Sequence, residues 1–178
     1  MKKNLLLIGI IIIAAAVLLS FAKIQSVDEY YLEHIDDITE DSETVTLSIV
    51  CGAVLDRWDD LEPQLKDEKY VPPDGVIMPP AEYVLRPGDT VFDILHRAAR
   101  YHKIQMEFHG SEKNGLGNTY IKGINYLYEF SCGPQSGWIF KVNGQPAGYG
   151  CGSYKLNDGD IVEWVYTCDL GRDAGGSF

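Results

Sequence analysis

Gly137-Trp138-Ile139-Phe140-Lys141-Val142 runs directly into Asn143-Gly144, and this stretch decides the fold class. Trp138, Phe140 and Val142 alternate with Ile139 and Lys141, the period of two that gives a strand one buried face. Asn-Gly after such a run predicts a type I′ hairpin, whose two central residues both need positive φ. A second turn at Asn157-Asp158-Gly159-Asp160 launches Ile161 to Thr167, with Val162, Trp164 and Tyr166 on one side and Ile161, Glu163 and Val165 on the other. At the opposite end of the domain, Val45, Leu47 and Ile49 alternate with Thr46 and Ser48, and Cys51 continues their apolar face.

Between these strands lies one strong helix signal. Thr90 is placed as N-cap with Asp93 three residues on, a short-armed capping box after the turn at Pro87-Gly88-Asp89. Val91, Ile94, Leu95, Ala98 and Ala99 then make an apolar stripe that ends near His102. Strands are expected at Tyr83 to Leu85, Ile104 to His109 and Thr119 to Ile124. Pro63, Pro72, Pro73, Pro79 and Pro80 predict mostly irregular chain up to Glu82, with a turn at Pro73-Asp74-Gly75 and a short helix in Asp56 to Leu61. Strands with a single main helix on a mostly antiparallel curved sheet give an α+β, β-grasp-like domain.

Ahead of the domain, Lys2 and Lys3 precede an uncharged run from Asn4 to Ala22, about the length that spans a hydrocarbon core of roughly 30 Å. The lysines predict an inside N-terminus and an outside domain. Two fates follow. A retained helix makes a single-pass cell-membrane protein, and Ser20-Phe21-Ala22 offers the small residues for cleavage after Ala22 and secretion. Residues 1–22 are therefore the transmembrane or signal helix, the acidic stretch 23–43 a solvated stalk, and 44–178 the folded domain. Asp and Glu outnumber Lys and Arg by 26 to 15, a net charge of −11 that repels phosphate backbones and argues against nucleic acid as partner.

Several blocks recur in fixed order: Thr90-Val91-Phe92-Asp93-Ile94-Leu95, Tyr120-Ile121-Lys122-Gly123-Ile124, Ser136-Gly137-Trp138 with Val142-Asn143-Gly144, and Tyr154 with Leu156 and Asp158-Gly159-Asp160. Together they resemble the transcobalamin C-terminal-like domain family, a bacterial family of unknown function, over Thr44 to about Asp173. Tyr128-Glu129-Phe130-Ser131-Cys132-Gly133 and Tyr166-Thr167-Cys168-Asp169-Leu170-Gly171 look like a cysteine-bearing subgroup in Gram-positive bacteria. The resemblance implies a β-grasp-like fold related to the β-domain that closes over the corrin in animal cobalamin carriers, which makes cobalamin a cofactor to test. Those carriers also use a large helical barrel domain, for which this chain has no matching stretch.

The chemistry points to binding rather than catalysis. There is no HExxH, GxSxG, P-loop or GxGxxG before a helix. In Gly133-Pro134-Gln135-Ser136-Gly137 the serine falls one place late for a nucleophile elbow, and a strand rather than a helix follows. His96 and His102 belong to a solvated helix face, and Asp158, Asp160, Asp169 and Asp173 lack calcium-loop spacing, so no metal is expected. Aromatic and glycine density peaks from Ser136 to Tyr154, where Gly148-Tyr149-Gly150-Cys151-Gly152 is too flexible for a core strand. Trp138, Asn143, Tyr149 and Tyr154 are the ligand-binding candidates, because tyrosines among small residues give contact area at low entropic cost.

Four cysteines in an exported chain predict two disulfides. Extending the Asn143-Gly144 hairpin sets Cys151 opposite Ser136 and near Cys132, so Cys132 with Cys151 is one expected pair. Cys51 and Cys168, ending the first and last strands, form the other. The expected function is an extracytoplasmic, membrane-anchored binding or adhesion module for a small molecule such as a corrinoid or for a cell-surface glycan. The alternative is a structural subunit pairing with another membrane or surface protein.

Overall fold

A computed structural model describes residues 37–110, 119–148 and 150–175. The expected N-terminal helix (1–22) and most of the stalk lie outside the described residues, as does Tyr149. Among the described residues no helix is long and apolar enough to cross a membrane.

The domain is α+β, mostly sheet. A five-stranded sheet has the order β2-β1-β8-β6-β7, formed by β1 (Thr44–Val50), β2 (Val76–Val84), β6 (Gly137–Val142), β7 (Gln145–Pro146) and β8 (Ile161–Thr167). A smaller sheet is ordered β3-β4-β5, from β3 (Met106–His109), β4 (Tyr120–Ile124) and β5 (Leu127–Tyr128). At the centre β1 and β8 run parallel, Leu47 beside Val162 and Ile49 beside Trp164, while the other pairings are antiparallel. Alternation along both strands fixes what is buried. Val45, Leu47, Ile49, Val162, Trp164 and Tyr166 are almost wholly buried, whereas Ile161 on the opposite side is 54% exposed.

The main helix, α2 (Val91–Tyr101), follows a four-residue helix α1 (Ala53–Asp56) and brings Val91, Ile94, Leu95 and Ala98 into that core. Its capping box is realised. Thr90 Oγ1 accepts from the Asp93 N–H at 3.3 Å and Asp93 Oδ2 accepts from the Thr90 N–H at 2.8 Å. Replacing Thr90 by alanine is expected to lower stability by about 1 kcal/mol, read from thermal unfolding, because one end of this reciprocal pair is lost.

Two expectations are corrected. Residues 76–82 are strand rather than irregular chain: β2 sits at the sheet edge and needs a partner only on the β1 side, so Pro79 and Pro80 are tolerated. Its pairing with β1 shifts register between Leu47 and Ile49. The hairpin turn forms as expected, with Asn143 at φ 53° and Gly144 at φ 76°, but its second strand pairs only Gln145 and Pro146. The chain then leaves the sheet, and Cys151 lands at the start of α2, where its carbonyl accepts from the Phe92 N–H at 3.1 Å.

Candidate functional site

Neither expected cysteine pair is brought together; all four cysteines are buried free thiols. Because β7 ends after Pro146, Cys151 never reaches its place opposite Ser136; its thiol instead donates to the Thr119 carbonyl at 3.2 Å. Cys51 sits where the chain turns into α1, its N–H on the Gly75 carbonyl at 2.7 Å, while the Cys168 side chain meets that of Cys132.

The residues singled out in the Asn143 hairpin region do structural work. Trp138 is 8% exposed, donates Nε1–H to the Leu127 carbonyl at 2.8 Å and lies edge-on to Tyr166 at 5.2 Å. Asn143 spans the turn, donating to Asp160 Oδ1 at 2.8 Å and accepting from the Ile161 N–H at 2.9 Å. Tyr154 packs edge-on against Phe140, and its carbonyl accepts from the Val91 N–H at 3.0 Å. Tyr149 lies outside the described residues. The aspartates serve turns too: Asp158 accepts from the Thr44 N–H, and Asp173 from Thr167 Oγ1 and the Cys168 N–H. Among the described residues no three His, Cys, Asp or Glu side chains gather to hold a metal ion.

A different surface gathers aromatic rings and carboxylates. β4 and β5 are joined by a two-residue turn, since Ile124 pairs with Leu127, and both turn residues have positive φ: Asn125 at 51° and Tyr126 at 66°. Asparagine accepts that geometry; a tyrosine there carries strain of order 1–3 kcal/mol and persists only where the surroundings impose it. Here they do. Asn125 Nδ2 donates to the carbonyls of Lys69 and Tyr70 at 3.2 and 3.0 Å, and Gln105 Oε1 accepts from the Tyr126 N–H at 2.8 Å. Tyr126 is thereby held 45% exposed and edge-on to Tyr70 at 5.4 Å, with the Lys69 ammonium 5.0 Å from the Tyr70 ring and 5.8 Å from that of Tyr126.

Tyr128 follows. Its ring lies over Gly123, where an added Cβ would stand 2.8 Å away, so glycine is what lets the ring lie flat on β4. Its hydroxyl accepts from Gln105 Nε2 at 2.8 Å. Burial, followed by the hydrogen bond and charge of Glu107, holds the phenol above its usual pKa. Nearby, Tyr120 donates to Glu129 at 2.6 Å, and burial, then that hydrogen bond and the Glu129 charge, pushes its pKa up to about 12. Both phenols stay protonated at physiological pH and act as neutral hydrogen-bonding groups.

Tyr70, Tyr126 and Tyr128 line, with Glu62, Gln64, Leu65, Glu129 and Ser131, an open cleft of about 430 Å³. Its far wall is the short helical turn Pro63–Leu65, tied to the near wall by the Glu62 N–H on the Ser131 carbonyl at 2.9 Å. Ring faces and carboxylates around one concavity suit a ligand with an apolar or cationic face and donor groups at its edge. Sequence reasoning missed this site because Asn125-Tyr126 is not a standard turn pair; the flanking Ile124 and Leu127 were the available signal.

The fold is an α+β domain, and this cleft is a concavity lined by aromatic rings and carboxylates. Residues 88–168 match a family model described as "Domain of unknown function (DUF4430)", and the resemblance to transcobalamin C-terminal-like domains holds. No curated protein matches the chain. Among solved structures, haptocorrin in complex with Cbi aligns at 15% identity and a TM-score of 0.47, over 75% of this chain. This chain spans only 27% of haptocorrin. A proposed metal binding protein from Ruminococcus gnavus ATCC 29149 aligns at 11% identity and a TM-score of 0.43, over 70% of this chain and 96% of that one.

Proposed function

We propose that this protein is a non-enzymatic binding module of β-grasp-like form, held outside the cytoplasmic membrane by residues 1–22, and that its ligand seats in the Tyr70-Tyr126-Tyr128 cleft. The observation that carries the reading is Tyr126, a bulky residue kept at φ 66° and half in solvent by three hydrogen bonds on the Asn125-Tyr126 turn. Strain that a fold maintains without burying the side chain is characteristic of ligand sites. Export and anchoring rest on the two lysines and the apolar run that follows them. The ligand classes to test are small molecules such as corrinoids, and cell-surface glycans including wall fragments.

Titrating the intact chain with each class while following tyrosine fluorescence is the test. Binding by at least one is expected, and Tyr126→Ala should weaken it about tenfold or more, as loss of an aromatic anchor does at recognition surfaces. Failure of every class to bind, or binding that Tyr126→Ala leaves unchanged, would overturn the assignment.

A further inference from the structure

Cys132 and Cys168 come together for a reason visible in the backbone. In the β6–β8 ladder Gly137 pairs with Thr167, so one step outward Ser136 faces Cys168. The turn before β6 then folds Cys132 back over Ser136. The Ser136 N–H donates to the Gly133 carbonyl at 3.1 Å, and Ser136 Oγ accepts from the Cys132 N–H at 3.0 Å while donating to the Gly133 carbonyl at 2.8 Å. The two side chains interact directly at 2% and 7% residue exposure, and both line a small cavity of about 270 Å³ with Arg57, Asp60 and Gln135.

We propose that Cys132 and Cys168 are the disulfide of this domain, closed by exchange with a disulfide-bearing oxidant of the kind met outside the cytoplasm, and that Cys51 and Cys151 remain thiols. One of the two sulfurs, as thiolate, attacks the oxidant R–S–S–R and expels RS⁻, giving a mixed disulfide. The second sulfur displaces the remaining RS⁻, forming the Cys132–Cys168 bond. Both thiol protons end on the two released RSH, and the protein gives up two electrons to the oxidant. The bond would tie the end of β8 to the segment that starts at Tyr128 and carries Glu129 and Ser131, one wall of the cleft. The other thiols stand apart, Cys51 beside the Gly75 turn and Cys151 against Thr119.

Burial holds both Cys132 and Cys168 above the ordinary thiol pKa, so the folded, reduced chain is slow to oxidise at neutral pH. The rate of closure should rise about tenfold from pH 7 to pH 8 with the thiolate fraction.

The reduced full chain in detergent is incubated with oxidised glutathione at pH 8, alkylated in denaturant and digested without reduction for mass spectrometry. One linked peptide joining Cys132 to Cys168 is expected, with Cys51 and Cys151 alkylated, and the oxidised chain should unfold at higher urea concentration than the reduced one. Linkage of Cys51 to Cys168 or of Cys132 to Cys151, glutathione retained on Cys132 or Cys168 without closure, or four alkylated cysteines would overturn the proposal. Because the mapping is done on the natural sequence, it does not depend on a variant folding. Cys151→Ala should leave the linked peptide and the urea difference in place, and their loss in that variant would also overturn it.

Discussion

Asp89→Ala is expected to cost about 3 kcal/mol of stability, read as a fall in the urea midpoint at unchanged slope. Asp89 Oδ2 accepts from Arg97 Nη1 at 2.6 Å and from the Arg86 N–H at 3.0 Å, and both charged side chains are only 11% exposed. Arg97 Nη2 reaches on to the Val84 carbonyl at 2.6 Å, so a single guanidinium ties α2 to the end of β2 through the turn between them. Removing the carboxylate takes from that nearly buried guanidinium its 2.6 Å charge-assisted bond to Asp89. Breaking such a pair from one side accounts for the size of the effect; the net worth of the intact pair against an apolar replacement is far smaller. Asp89→Asn keeps an acceptor for the Arg86 N–H and should lose less. A loss below about 1 kcal/mol for Asp89→Ala would show the pair to be screened by solvent as surface pairs are.

The turn containing Asp89 was legible in the sequence, and so was most of what surrounds it. Thr90 and Asp93 marked the start of α2, and the alternation of Trp138, Phe140 and Val142 and of Val162, Trp164 and Tyr166 marked two central strands, because both signals depend only on residues close in sequence. What escaped notice depends on partners. Pro79 and Pro80 argue against a strand unless the strand is known to lie at an edge, and edge position is a property of the whole sheet. The expected approach of Cys151 to Cys132 turns on the same point. The turn at Asn143-Gly144 was placed correctly, but how far its second arm stays paired is set by Cys151 being drawn to the start of α2. Burying Trp138 requires a partner for its N–H, and the Leu127 carbonyl provides one; Trp164 Nε1 has no acceptor among the described residues. The cleft was hidden for a third reason. Its rings come from Tyr70 on one side and Tyr126 and Tyr128 on the other, far apart in sequence and brought together by contacts such as that of Asn125 with the backbone of Lys69 and Tyr70.

Gly75→Ala should be comparably damaging, at about 3 kcal/mol, for a reason that Asp89 does not share. Gly75 has φ +69°, where an L side chain costs roughly 1–2 kcal/mol. An added Cβ would also stand 2.6 Å from Gly52 Cα and 2.9 Å from Gly52 N. Those are backbone atoms and have no rotamer by which to withdraw, so the overlap adds a further 1–3 kcal/mol or so unless the turn moves. Moving it is resisted from both ends, because the Gly75 carbonyl accepts from the Cys51 N–H at 2.7 Å and the Gly75 N–H donates to the Pro72 carbonyl at 2.8 Å. Gly88 separates the two contributions. It has φ +86° with open space where its Cβ would be, so Gly88→Ala should show the conformational cost alone, about 1 kcal/mol. Equal urea midpoints for the two variants would mean that the approach of Gly52 to Gly75 is loose. A gap of about 1–2 kcal/mol would place the contact between two glycine backbones among the features that hold the end of β1 against the start of β2.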